Sequence, residues 1–277
     1  MIVPDPRERF AAAVRPPDAP IDLAECALLV AAEEYPDLDL DLYLERLDAL
    51  ADAVAIRIRA AQSDEERVAI LNRYLFVEHG FAGNQERYDD PRNSFLNDVL
   101  DRGRGIPITL AIVYIEVAGR LALPVEGVGF PGHFLARYSG ASQIIVDPFF
   151  GRVLTEPQCE ARLRTVLGED SDWEPAVYLR AATPREIMVR LLTNLKHLYL
   201  RDHDYGRTLA ASERLLLLTP DVPVELRDRG LVYEQLDCYA AASADFERFL
   251  ELAPEDDSAD AIRDRLILAR RKIGRLH

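Results

Sequence analysis

The apolar positions along this chain change period several times, and each change predicts an element. From Ile21 to Glu34, Ala24, Ala27, Leu28 and Ala31 recur at three- and four-residue steps, which predicts an amphipathic helix stopped by Pro36. Asp37 to Leu42 alternates like a strand. The longer window favours a helix through Ile58 with an aspartate cap, because Leu40, Leu44, Leu47, Leu50 and Val54 share one face. The same aspartates resemble the start of a calcium loop, but the glycine and the closing glutamate such a loop requires are missing at the right offsets. Ser63-Asp64-Glu65-Glu66 reads as a capping box opening a helix that ends near Gly80. Phe81 to Pro91 reads as a loop carrying Gly83-Asn84. Asn93 or Ser94 is expected to cap a short helix through Leu100.

Pro107 suits the first turn of a helix, where its missing N–H would have no partner. From Ile108 to Leu121 apolar residues occupy nearly every face, the pattern of a buried helix. Val125–Phe130, His133–Tyr138 and Gln143–Phe149 then read as three strands, the last two joined by Tyr138-Ser139-Gly140-Ala141-Ser142. Residues 152–180, which hold Trp173, read as irregular or helical. Thr183-Pro184-Arg185-Glu186 starts another helix, and a domain boundary is expected near residue 182.

An internal repeat occupies the last third. Tyr205/Tyr239, Glu213/Glu247, Arg214/Arg248, Leu218/Leu252 and Pro220/Pro254 are each 34 residues apart, which is the tetratricopeptide period. One helix pair cannot bury its own apolar face, so neighbouring pairs stack. Helices are expected near 185–201, 205–219, 223–235, 239–252 and 258–273.

The chemistry in this pattern centres on His133 and Asp147. A hairpin turn centred on Gly140 makes them direct cross-strand neighbours, with Cβ atoms about 5 Å apart. A carboxylate beside an imidazole fixes its tautomer and stabilises the imidazolium. A nucleophile would complete a triad, yet none is obvious. Thr109 is two residues beyond Pro107, turned by roughly 200° about the helix. Ser94 is better suited to capping. Cys26 and Cys238 fall at helix-face positions where buried, inert thiols are common, and Cys159 lies in an unrelated context. His79, His133, His197, His203 and His277 are scattered with no metal-binding pair, and Asp202-His203-Asp204 reads as a polar turn.

Four motifs carry a resemblance: Asn93-Ser94-Phe95-Leu96, Arg104-Gly105-Ile106-Pro107-Ile108, Pro131-Gly132-His133-Phe134 and Asp147-Pro148-Phe149. Together with the repeats they resemble the SirB-type subgroup of the transglutaminase-like superfamily, whose pattern is Gly-x-Cys at a helix start, His on one strand and Asp on the next. Gly105-Ile106-Pro107 stands where Gly-x-Cys would, so a proline occupies the place of the nucleophile. The resemblance implies an α+β fold: a mostly helical papain-like domain with a small antiparallel sheet over residues 1–182, then an all-α repeat array over 183–277. It implies a relic dyad, His133 and Asp147, with Asn93, Ser94, Gly105, Pro107, Thr109, Phe134 and Phe149 around a binding pocket, and neither cofactor nor metal. The function expected is non-catalytic binding or regulation, with a protein or peptide partner on the repeats. The alternative is a hydrolase or acyl-transfer enzyme using His133 with another nucleophile or water.

Composition narrows the classes further. The net charge of −15 argues against direct binding to nucleic acid or an anionic membrane. A basic partner or plain solubility suits it. Three cysteines imply no disulfide framework and suit a reducing cytoplasm. Residues 1–20 read as an arm or a short helix with no signal-peptide core, and no apolar run reaches membrane-spanning length.

Overall fold

The computed structural model describes residues 5–15 and 21–274. Among them are thirteen α-helices and two small sheets. In chain order the helices are α1 (Pro6–Val14), α2 (Leu23–Ala32), α3 (Leu40–Ala60), α4 (Asp64–Asn72), α5 (Leu96–Arg102), α6 (Pro107–Arg120) and α7 (Glu156–Leu167). They continue with α8 (Pro175–Tyr178), α9 (Pro184–Arg201), α10 (Tyr205–Leu218), α11 (Pro223–Gln235), α12 (Tyr239–Leu252) and α13 (Ala259–Ile273). The arm expected over residues 1–20 lies partly outside the described residues; within it α1 is helical. The chain divides into two compact units, one ending at Leu191 and the other beginning its main run at Leu192, so the division falls within α9.

Local chemistry sets the helix starts in the first unit. Asp39 caps α3, its carboxylate accepting the Leu42 N–H at 3.2 Å. Ser63 caps α4 by accepting the Glu66 N–H, and Glu66 accepts in turn from the N–H of Gln62. After Asn72 this helix widens into a π-turn over Arg73–Glu78, with His79 N–H bonded to the Tyr74 carbonyl. The expectation for α5 needs correction: its cap position is Phe95, with no side-chain bond, so neither Asn93 nor Ser94 caps it. Asn93 is instead bonded to the surrounding loop, and Ser94 closes the preceding 3-10 turn through its backbone N–H.

Two-residue strands β1 (Ala82–Gly83) and β2 (Arg104–Gly105) pair in parallel, where a loop was expected. The main sheet is an antiparallel meander of β3 (Val125–Val128), β4 (Leu135–Ser139), β5 (Gln143–Asp147) and β6 (Arg152–Leu154). Residues 152–154 are thus an edge strand, and α7 follows. Leu135 and Ile145 join Val128, Phe130, Leu154, Cys159 and Leu163 in one core between sheet and α7, with Trp173 packed against it. Helix α6 is buried from Pro107 through Tyr114 and at Val117 and Ala118, as its all-round apolar pattern requires.

In the second unit the repeat is geometric as well as textual. Helices α10 and α12 begin at Tyr205 and Tyr239 and end at Leu218 and Leu252. The residues that turn the chain ahead of them, His203 and Asp237, both have φ of 58°. Leu216, Leu226, Ala242, Phe246, Phe249 and Ile262 form the core of this unit.

Candidate functional site

His133 is placed by a turn whose residues dictate its type. Pro131 and Gly132 occupy the two central positions, Gly132 has φ of 65°, and the His133 N–H closes back on the Phe130 carbonyl at 3.0 Å. This is a type II turn, which wants proline first and a residue tolerant of positive φ second. Asp147 ends β5. Its carboxylate is fully buried and accepts from His133 Nε2 at 2.8 Å, from Arg162 at 2.9 Å and from the Phe149 N–H at 3.2 Å. Burial by itself would raise the Asp147 pKa. The bond and charge of His133 and then of Arg162 outweigh it, and the pKa is lowered.

The pair therefore forms, but not as direct cross-strand neighbours. The register pairs Ser139 with Gln143, so the turn centres on Ala141 rather than Gly140. Continued by one pair, that register sets Leu135 opposite Asp147 and leaves His133 in the diagonal position. A slip of two residues preserves the face of the sheet, whereas a slip of one would have separated the groups.

His133 and Pro107 line the same open cleft of about 550 Å³, together with Tyr88, Phe149, Phe150 and Val166. Pro107 is the first residue of α6. Among the described residues His133 Nδ1 has no hydrogen-bond partner. The cleft's hydroxyls belong to Tyr88 and Thr165, and Thr165 donates to the Ala161 carbonyl of its own helix at 3.0 Å.

The other residues singled out from the sequence divide into lining and frame. Phe149 lines the cleft with its ring edge-on to His133 at 5.9 Å. Thr109 does not line it. Its hydroxyl donates to the Asn93 carbonyl at 2.7 Å and accepts the Ile106 N–H at 3.1 Å, bracing the start of α6. Asn93 is fully buried: its amide donates to the carbonyls of Arg87 and Tyr88 and its oxygen accepts from Asn84 and Arg102. Gly105 accepts the Asn84 N–H, and Gly83 donates to the Phe149 carbonyl at 2.9 Å, so the Gly83-Asn84 element ties the loop to the floor of the cleft. Ser94 and Phe134 are buried away from the cleft lining.

Sequence reasoning missed Arg162, Phe150 and Tyr88. A buried carboxylate at the end of a strand signals a cation somewhere, but not which one. Helix α7 supplies it, opened by a capping box in which Gln158 accepts the Thr155 N–H at 2.8 Å. Phe150 is stacked on the His133 ring, centroids 6.2 Å apart, with the guanidinium groups of Arg152 and Arg162 over it at 5.1 and 5.5 Å.

The cysteines offer no replacement nucleophile at this site. Cys26 and Cys159 are buried, which pushes their thiols up to about 12 and about 11. Cys238 differs from expectation: it is exposed, at the cap position of α12, not on a helix face. Among the described residues no three His, Cys, Asp or Glu side chains come together in a metal-binding cluster, and no helix is long and apolar enough to cross a membrane.

Comparison with known proteins agrees with the fold. The family profile of the transglutaminase-like superfamily matches residues 41–193, and that of the tetratricopeptide repeat matches residues 195–267. The chain is 40% identical to a UPF0162 protein of Xylella fastidiosa, across 90% of each chain. It is 30% identical to a UPF0162 protein of Vibrio cholerae across 88% of this chain and 90% of that one. To Protein SirB1 of Salmonella typhimurium it is 28% identical, across 86% and 90%. By these matches the chain belongs to the transglutaminase-like superfamily as a SirB-type member with C-terminal tetratricopeptide repeats.

Proposed function

We propose that this protein is a non-catalytic binding and regulatory protein of the cytoplasm, which holds a ligand in the His133 cleft without converting it and meets a protein partner through its repeats. One observation carries the reading: Pro107 stands at the head of α6 in the cleft that His133 and Asp147 serve. Nucleophilic catalysis needs a hydroxyl, thiol or amine within hydrogen-bond reach of the base. A proline ring supplies none; of the two hydroxyls in the lining, that of Thr165 is bonded to its own helix and that of Tyr88 is a phenol, a weak nucleophile at neutral pH. The polar dyad then serves as a fixed wall of the pocket. The three cysteines, all free, suit a reducing compartment. Tetratricopeptide arrays as a class present extended surfaces to other proteins, which supports the partner assignment.

The test is to assay the full chain against amide, ester and glutamine-transfer substrates beside its His133→Ala variant. Both are expected to give the same background rate. Turnover in the wild type that disappears in the variant would establish an enzyme instead.

A further inference from the structure

The lining of the cleft differs in charge from the rest of the molecule. The chain carries 48 aspartates and glutamates against 33 lysines and arginines, yet among the described residues no carboxylate lines this cleft. Asp147, bonded to two of the lining side chains, is fully buried, and its oxygens are taken by His133, Arg162 and the Phe149 N–H. Its oxygens are therefore taken by residues of the cleft lining and are not offered to a ligand. Arg152 forms no ion pair among the described residues. It is exposed and stands outside the residues that line the cleft, beside one of them: it lies opposite Asp147 in the sheet register, and its guanidinium lies over the Phe150 ring at 5.1 Å. A guanidinium stacked in this way keeps its N–H edge available for a planar, two-oxygen acceptor.

The walls say what the acceptor is attached to. Tyr88, Phe150 and Val166 are 49%, 43% and 48% exposed, and all three border the same opening. Large apolar groups gathered around a concave site, with few polar groups among them, are the usual make-up of a ligand pocket. We propose that this cleft binds an anionic ligand whose carboxylate sits beside an aromatic or branched apolar group, as in the free C-terminal residue of a peptide, with Arg152 holding the carboxylate and Phe150, Tyr88 and Val166 the apolar part. The inference rests on the reading of the cleft as a binding site and adds the ligand's charge and shape.

Calorimetric titration of the full chain at neutral pH and low salt tests it with matched probes: N-acetylphenylalanine and Ala-Ala-Ala-Phe, each as free acid and as C-terminal amide. At least one acid is expected to bind ten times more tightly than its amide. If only the tetrapeptide does so, the source is a peptide end; if the single residue does as well, a small acid suffices. Arg152→Gln, at an exposed position, is expected to erase the acid–amide gap with an unchanged circular dichroism spectrum. Phe150→Ala is expected to weaken the acid at least tenfold. Equal affinity for acid and amide, absence of binding by all four probes, or a gap that survives Arg152→Gln would overturn the proposal. Equal affinity would still leave a binding cleft. Mass spectra of the recovered amides report separately on the non-catalytic reading, which conversion to acid would contradict.

Discussion

Asp147 is held by more bonds than its position at a strand end requires. It is fully buried, and its oxygens are bonded by two side chains from different elements, His133 on a turn and the Arg162 guanidinium on α7. Removing one member of such a buried set leaves the others unpaired, at a cost of about 3–5 kcal/mol. Asp147→Asn is therefore expected to lower unfolding stability by about 3 kcal/mol in urea at pH 7. The pH dependence has a definite sign. Burial raises the Asp147 pKa, but pairing with His133 and Arg162 lowers it by more, so the native value lies below the unfolded one. The stability it contributes is then complete above the ordinary aspartate value of about 3.9 and is lost as the pH falls through the lower native value. Urea midpoints followed from pH 7 into the acid range should fall more steeply for the wild type than for Asp147→Asn. Parallel curves would mean that this carboxylate is not paired in solution.

The elements around the cleft are fixed by connections between neighbours more than by their own propensities. Asn93 shows this most directly. Its side chain satisfies the carbonyls of Arg87 and Tyr88, and its own carbonyl accepts from Thr109 and Ile106 at the head of α6. Asn93→Ala leaves two loop carbonyls without their donor, at about 1–3 kcal/mol. Amide exchange over residues 84–92 should accelerate by tenfold or more while the α10–α13 helices keep their protection; unchanged exchange in the loop would show that Asn93 does not hold it. The same contrast between local and distant chemistry separates what was legible in the sequence from what was not. The Asp39 and Ser63 caps depend on residues within a few positions of one another, and the matched ends of α10 and α12 on a 34-residue repeat written along the chain, so both could be read. The hairpin centre could not, because Ser139-Gly140-Ala141-Ser142 accommodates a turn on either middle residue and only packing chooses. Strand β6 has three residues, two of them exposed, too few to show alternation. Arg162 was invisible for a different reason: its partner lies across the sheet–helix interface, and no spacing in the chain connects them.

At the scale of the whole molecule, the question is whether the repeats recruit a partner or only complete the fold, and the second unit contains a lever for deciding it. Gly230 on α11 meets Phe246 on α12 so closely that a Cβ there would lie 2.6 Å from the ring. Thirty-four residues earlier the corresponding pair is Lys196 and Ser212, with Lys196 nearly buried and bonded to Glu225 at 2.7 Å and Asp228 at 3.0 Å. The two repeats thus use different side chains at matching places, and only the second depends on a bare backbone. Cutting the chain at residue 183 would be a poor test, since Ile187, Met188 and Leu191 are buried and belong to the first unit. Gly230→Leu keeps the chain intact and forces α11 and α12 apart, at about 1–3 kcal/mol or more. Affinity capture from a bacterial lysate, with helix content checked by circular dichroism, should show partners lost by at least tenfold in Gly230→Leu and retained in His133→Ala. Equal capture by the folded Gly230→Leu protein would assign the repeats a bracing role, and loss of the same partners in His133→Ala would move the partner surface to the cleft.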